Sequence, residues 1–178
     1  EFNAAVRHSI NWALFFGVPS AGGIIILAEP IIITLFQYGE MTSYDVDQCV
    51  NSLRCYAIGL PAFILIKVLA TTYFARKDMT TPVKFAVYAL VVNTFLNLLF
   101  MKYFGHVGLA LATSIAAWLN ATLLIVYLKS LEFEFDTEGK INCLRILIAS
   151  FIMIMVLYWF LPKIFFSLDS TFWFRFFC

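Results

Sequence analysis

The chain has 178 residues, of which 62% are hydrophobic and only 13% charged, whereas soluble domains run at roughly 45–50% and about 25%. Together with a mean hydropathy of +0.89 and a net charge of +1, this excludes a soluble enzyme, a disordered tail and a nucleic-acid binder, which needs a basic field. Twenty Phe and eight Tyr suit a surface facing lipid, so the chain reads as an integral membrane protein.

A helix that crosses a bilayer needs about 20 predominantly apolar residues. Residues 8–28, between Arg7 and Glu29, are free of formal charge, and the apolar pattern runs on to Phe36. Residues 37–47 are acidic and turn-like, with Gly39. A second window, 55–75, is interrupted only by Lys67; the basic stretch 75–84 with Pro82 follows. Residues 85–101 form a third window, 102–106 a tight turn, and 103–128 a fourth window without a formal charge. Residues 129–145 are the longest polar stretch, read as a solvated loop or as a short interfacial segment at Glu132–Phe133–Glu134–Phe135. Residues 146–162 form a fifth window, and 171–178 resemble the opening of a sixth. With Glu1 at one end and Cys178 in an apolar run at the other, a piece of a longer protein is expected. These runs are continuous, unlike the alternating ten-residue strands of a membrane barrel. The expected fold is all-α: a polytopic transmembrane helix bundle of about five complete spans and a truncated sixth.

Lysine and arginine in short loops set the orientation. Arg7, Arg76, Lys77, Lys84, Lys129, Lys140 and Arg145 fall on one side, against Lys102 and Lys163 on the other. Arg54 joins the second group if the second helix begins near Asp45. The N-terminus and the 75–84 and 129–145 segments are therefore cytoplasmic. The remaining connections, with Cys49 near one of them, are external. In spheroplasts an impermeant maleimide should reach Cys49 readily and Cys143 only after permeabilisation. Labelling of Cys143 in intact spheroplasts would overturn the orientation.

Chemistry-bearing residues are sparse. The four cysteines, Cys49, Cys55, Cys143 and Cys178, show no metal-site spacing, and His8 and His106 stand alone at the membrane edges. Hydrolase, zinc-protease and phosphate-loop motifs do not occur, so neither an enzyme nor a cofactor or metal site is expected. Five polar residues inside or beside the spans are candidates for a substrate pathway. Lys67 costs roughly 2.5–3.5 kcal/mol at the centre of a span. It either faces a cavity with an anionic partner or snorkels to the cytoplasmic interface. Glu29 precedes Pro30 near the external side and is placed to pair with Arg54. Asn93 and Asn97, four apart, share a helix face, and Asn120 lies in the next span. All three amides either hydrogen-bond between helices or line a polar cavity. Gly17, Pro19, Gly22, Gly23, Pro30, Gly59 and Pro61 interrupt the first two spans. They serve either as hinges or as the ordinary small residues of membrane helices. Gly108, Ala110, Ala112, Ser114, Ala116 and Ala117 in the fourth span suit close helix packing.

LAEPIIITLFQYGEMTSYDVD (27–47), LRCYAIGLPAFILIKVLATTYFARKDMTTPVKFA (53–86), VNTFLN (92–97) and GHVGLALATSIAAWLNATLL (105–124) occur in that order. Together they resemble the C-terminal half of the MurJ/MviN family, the lipid II flippases of bacterial cell-wall synthesis within the multidrug/oligosaccharidyl-lipid/polysaccharide exporter superfamily. The resemblance covers about residues 5–165. It implies a fourteen-helix, two-lobe transporter of the bacterial inner membrane, with this chain corresponding to helices nine to thirteen and part of the fourteenth. Residues 1–130 would belong to the C-terminal lobe, and 131–178 would be a cytoplasmic loop with accessory helices. Residues 146–164 would form one wall of a groove for the lipid tail. The implied partners are lipid II, membrane lipids and the N-terminal lobe of the same protein. The essential cavity residues of the family fall outside this chain, so none is carried over. The alternative is an exporter of the same superfamily for another polyprenyl-linked glycan or for drugs.

Overall fold

The computed structural model describes the backbone of residues 2–36, 42–130 and 137–169, and the side chains of residues 4–36, 42–128 and 144–160. Five helices account for nearly all of it: α1 (Phe2–Phe36), α2 (Ser43–Ala75), α3 (Thr80–Phe104), α4 (His106–Ser130) and α5 (Thr137–Asp169). Four are long and apolar enough to cross a membrane, and the described apolar part of α5 is Leu144–Phe160. The sixth segment, the Glu132–Phe135 alternation and residues 37–41 of the external connection lie outside the described residues.

All the helices but α4 start before their charge-free windows do. α2 begins at Ser43 rather than 55, α3 at Thr80 rather than 85, and α5 at Thr137 within the stretch expected to be a loop. Charge marks where a chain leaves hydrocarbon, whereas a hydrogen-bonded helix continues into the interface. The 33 residues of α2 span about 50 Å at 1.5 Å per residue, well beyond the roughly 30 Å apolar core. Side-chain caps set the true starts. At α2, Asp45 Oδ2 accepts from the Thr42 backbone N–H (3.1 Å) and Thr42 Oγ1 accepts from that of Asp45 (3.3 Å), a reciprocal capping box. At α3, Asp78 Oδ1 accepts from the backbone N–H groups of Thr80 (3.2 Å) and Thr81 (3.1 Å). Hydrogen bonds from Thr81, then Thr80, hold the Asp78 carboxyl below the usual carboxylate range. This cap is in place at neutral pH and fades as pH falls through that lowered value. Pro82, in the first turn, removes only a donor that a helix start leaves unused.

The α2–α3 connection, residues 76–79, is shorter than the 75–84 stretch marked in the sequence, and Gly105 alone joins α3 to α4. Lys77 turns the chain in a left-handed conformation (φ 63) after α2. Gly105 (φ 57) reverses it between α3 and α4, where a side chain would be strained. In space the helices stand in the order α5, α1, α2, α4, α3, each packed chiefly on its neighbours in that row. Their core lies where α1, α2 and α4 meet, around Ile10, Ala62, Leu69, Tyr73, Ala121 and Leu124. A smaller cluster, Ala28, Ile32, Val46 and Val50, closes the end of the α1–α2 pair nearest their connection.

Gly17, Gly22, Gly59 and Pro61 sit at helix contacts. A methyl on Gly17 would stand 3.2 Å from the Pro61 Cα, so α1 and α2 approach nearly backbone to backbone there. Gly59 lies against Ser114, and Gly22 against Ile154 of α5. Ala110, Ala112, Ser114, Ala116 and Ala117 are buried, as close packing of α4 requires. Without a hydrophobic force between helices in lipid, such close approach lets dispersion hold them together.

Candidate functional site

Side chains that cross between helices aim at backbone carbonyls. Ser114 Oγ donates to the Cys55 carbonyl (2.6 Å) and Trp118 Nε1 to that of Ile58 (3.0 Å). Both acceptors lie in the turns just before Pro61, whose ring lacks the donor for the Ala57 carbonyl. Tyr73 Oη donates to the Leu124 carbonyl (2.7 Å) from a fully buried position. Arg54 Nε donates to the Ile25 carbonyl (3.3 Å), one residue before the carbonyl that Pro30 deprives of its partner. Each membrane bond of this kind contributes on average about 0.6 kcal/mol. Together they fix the register of α1, α2 and α4.

That network corrects one expectation. Arg54 is committed to the Ile25 carbonyl and makes no ion pair with Glu29, whose side chain is exposed. The packing of α2 on α1 brings its Nε to that backbone acceptor instead.

Lys67 is exposed on α2, eight residues before Ala75. One and two turns further on, Thr71 and Phe74 are exposed as well. The three mark a side of α2 that neither α1 nor α4 covers, so Lys67 is not part of the packed core.

The three asparagines gather along the α3–α4 seam. Phe100 abuts Gly108 at one end of that seam, and the Phe85 and Tyr127 rings meet at the other (centroids 5.7 Å). Asn93, Asn97 and Asn120 lie between those contacts. Each carries a buried Oδ1 with no hydrogen-bond partner, and Asn120 is only 8% accessible. The interhelical hydrogen bonds expected of these oxygens are therefore not made. A buried acceptor left unpaired costs about 1–3 kcal/mol, which sets these amides apart from ordinary packing residues. No cluster of His, Cys, Asp or Glu suited to a metal occurs among the described residues.

One wide groove was not legible in the sequence. A groove of about 1140 Å³ opens between the C-terminal end of α1, the first turns of α2 and the α3–α4 turn. Arg54, Gln48, Asn51, Tyr103 and His106 are among its walls. Its two sides are some fifty residues apart in the chain, so no local pattern announces it.

The helices thus form a membrane-embedded wall with polar groups on its faces and, among the described residues, no catalytic constellation. Residues 1–176 match the model of the family described as lipid II flippase MurJ. The chain belongs to the MurJ family. A probable lipid II flippase MurJ of Vibrio cholerae is 45% identical over 121 residues, which are 66% of this chain and 23% of that protein. The Rickettsia prowazekii counterpart is 35% identical over 85% of this chain and 30% of its own length. A solved structure of lipid II flippase MurJ in an inward closed conformation superposes with a TM-score of 0.80 at 30% identity, covering 98% of this chain and 40% of that one. The chain thus spans less than a third of the length of these curated MurJ relatives. MurJ membership and the apolar helices make it a multi-pass protein of the bacterial inner membrane. The family is one of transporters, not of catalysts of covalent change.

Proposed function

We propose that this chain is the C-terminal portion of a lipid II flippase, which moves the undecaprenyl-pyrophosphate-linked precursor from the cytoplasmic to the periplasmic leaflet by alternating access. The observation that carries this reading is the superposition of nearly the whole chain on an inward closed MurJ at 30% identity. Residues 1–130 would contribute four helices to one lobe, and residues 131–178 a connection and accessory helices. The α5 wall, exposed at Phe151, Ile152, Met155 and Trp159, suits contact with a polyprenyl tail. No bond in the substrate is made or broken; the protein exchanges one solvation environment for another.

Within that reading Lys67 is the substrate-facing cation of this portion, because its side of α2 is the one the row of helices leaves open. Asn93, Asn97 and Asn120 supply uncommitted acceptors, and Glu29 a carboxylate near the external exit. In the full-length protein Lys67→Met should preserve expression and membrane insertion but reduce lipid II translocation about tenfold, measured by accessibility of the precursor to an external toxin or protease. Undiminished translocation would assign Lys67 to snorkelling and remove it from the pathway.

A further inference from the structure

α1 and α5 run side by side in the same direction, in contact where Gly22 meets Ile154. Residues 8–15 of α1 and 145–146 of α5 lie at their cytoplasmic ends on the charge bias. A pocket of about 270 Å³ opens there, lined by His8, Asn11, Trp12, Phe15, Arg145 and Ile146. Its described lining holds one guanidinium, one imidazole and one amide, and no carboxylate. The Arg145 side chain is exposed, as are those of His8 and Trp12. Trp12 is set in an aromatic ladder, edge-on to His8 at 5.9 Å and stacked on Phe16 at 5.7 Å. Directly below, sharing Phe15 and Ile146, lies a second pocket of about 330 Å³ whose walls include Phe16, Pro19, Ala149 and Met153. The groove therefore changes character along its length, cationic and aromatic at the membrane edge and apolar towards the bilayer centre.

We infer that this α1–α5 groove is a binding site for an anionic phospholipid of the cytoplasmic leaflet, with its phosphate at Arg145 and His8 and an acyl chain along Phe16 and Met153. Charge complementarity selects the ligand: a planar guanidinium matches a phosphodiester in two parallel hydrogen bonds, and the described lining has no carboxylate to receive the ammonium of a zwitterionic head group. Depth agrees. Trp concentrates at head-group level, and the positive side of this protein is the cytoplasmic one, where basic pockets between helices take anionic head groups. A lipid seated there would staple α5 to α1 across the part of their contact that side chains leave open. The site is separate from the open Lys67 side of α2.

The test is retention of phosphatidylglycerol by the purified full-length protein, read by native mass spectrometry against phosphatidylethanolamine. Arg145→Gln should weaken phosphatidylglycerol binding about fivefold, the effect expected of one basic residue at an anionic surface. Arg145→Lys, which keeps the charge but not the guanidinium fork, should bind between Arg145→Gln and the unchanged protein. Arg76→Gln, in the α2–α3 turn and away from the groove, should change nothing. Trp12→Leu, which preserves every charge, should also lower retention and guards against a misfolded Arg145 variant. Equal losses for Arg145→Gln and Arg76→Gln would reduce the effect to general attraction and overturn the site. So would equal retention of the two lipids, or undiminished binding in both groove variants, as when the rest of the protein covers the groove. Retention is read without transport, so its failure leaves the proposed function standing.

Discussion

Residues 1–178 expressed alone are expected to fractionate with the membrane and to leave a flippase-depleted bacterial strain unrescued. Insertion follows from length and composition, because four helices carry windows of high hydropathy and satisfy their own backbone groups in lipid. Transport is another matter. Alternating access needs two lobes moving around a shared site, and this chain covers 40% of a solved MurJ chain. Its helices stand in a row, α5, α1, α2, α4, α3, which builds a wall and not an enclosure. Lys67 is exposed on one side of that wall, with no opposing cationic surface among the described residues to share the charge of a pyrophosphate. Co-expression with the remainder of the reading frame should restore growth if the lobes reassemble. Rescue by this chain alone would place the whole translocation site within α1–α5 and sink the two-lobe account.

Gly108→Val should produce the largest loss of stability among single substitutions of the glycines. A Cβ at position 108 would lie 2.5 Å from the Phe100 carbonyl oxygen and 2.7 Å from its carbon. These are backbone atoms, which cannot swing aside as the end of a side chain can. The Gly105 turn holds α3 and α4 together three residues away, so the clash must be relieved by prying the seam apart. Overpacking of this kind costs typically about 1–3 kcal/mol, and the added branch of valine places the change at the upper end. Gly23, where an added methyl would meet nothing within 4 Å, is the control: Gly23→Ala should leave the thermal midpoint in detergent where it was. An unshifted midpoint for Gly108→Val would mean that the α3–α4 contact is looser than this geometry requires. The same seam holds the unpaired oxygens of Asn93, Asn97 and Asn120, so opening it should also expose those amides to water.

Residue type alone determined the helical class, the number of apolar windows and the basic side of the membrane, because lipid demands continuous apolar runs and internally satisfied backbone. The motifs around 27–47, 53–86 and 105–124 carried the family. Helix starts were not legible from charge, since Thr42, Asp45 and Asp78 extend helices into the interface by capping them. Tertiary structure decided the rest. Whether Arg54 met Glu29 or a carbonyl depended on how α2 packs on α1, and that packing brings its Nε to the Ile25 carbonyl. That Gly17, Gly22 and Gly59 are close contacts depended on what faced them: Pro61, Ile154 and Ser114 of neighbouring helices. Spacing showed that Asn93 and Asn97 share a face; it took the α3–α4 register to bring Asn120 into the same seam and to leave all three oxygens without a partner. The wide groove and the α1–α5 groove join residues dozens of positions apart. Such proximity is a property of packing, and a local pattern of residue types cannot encode it.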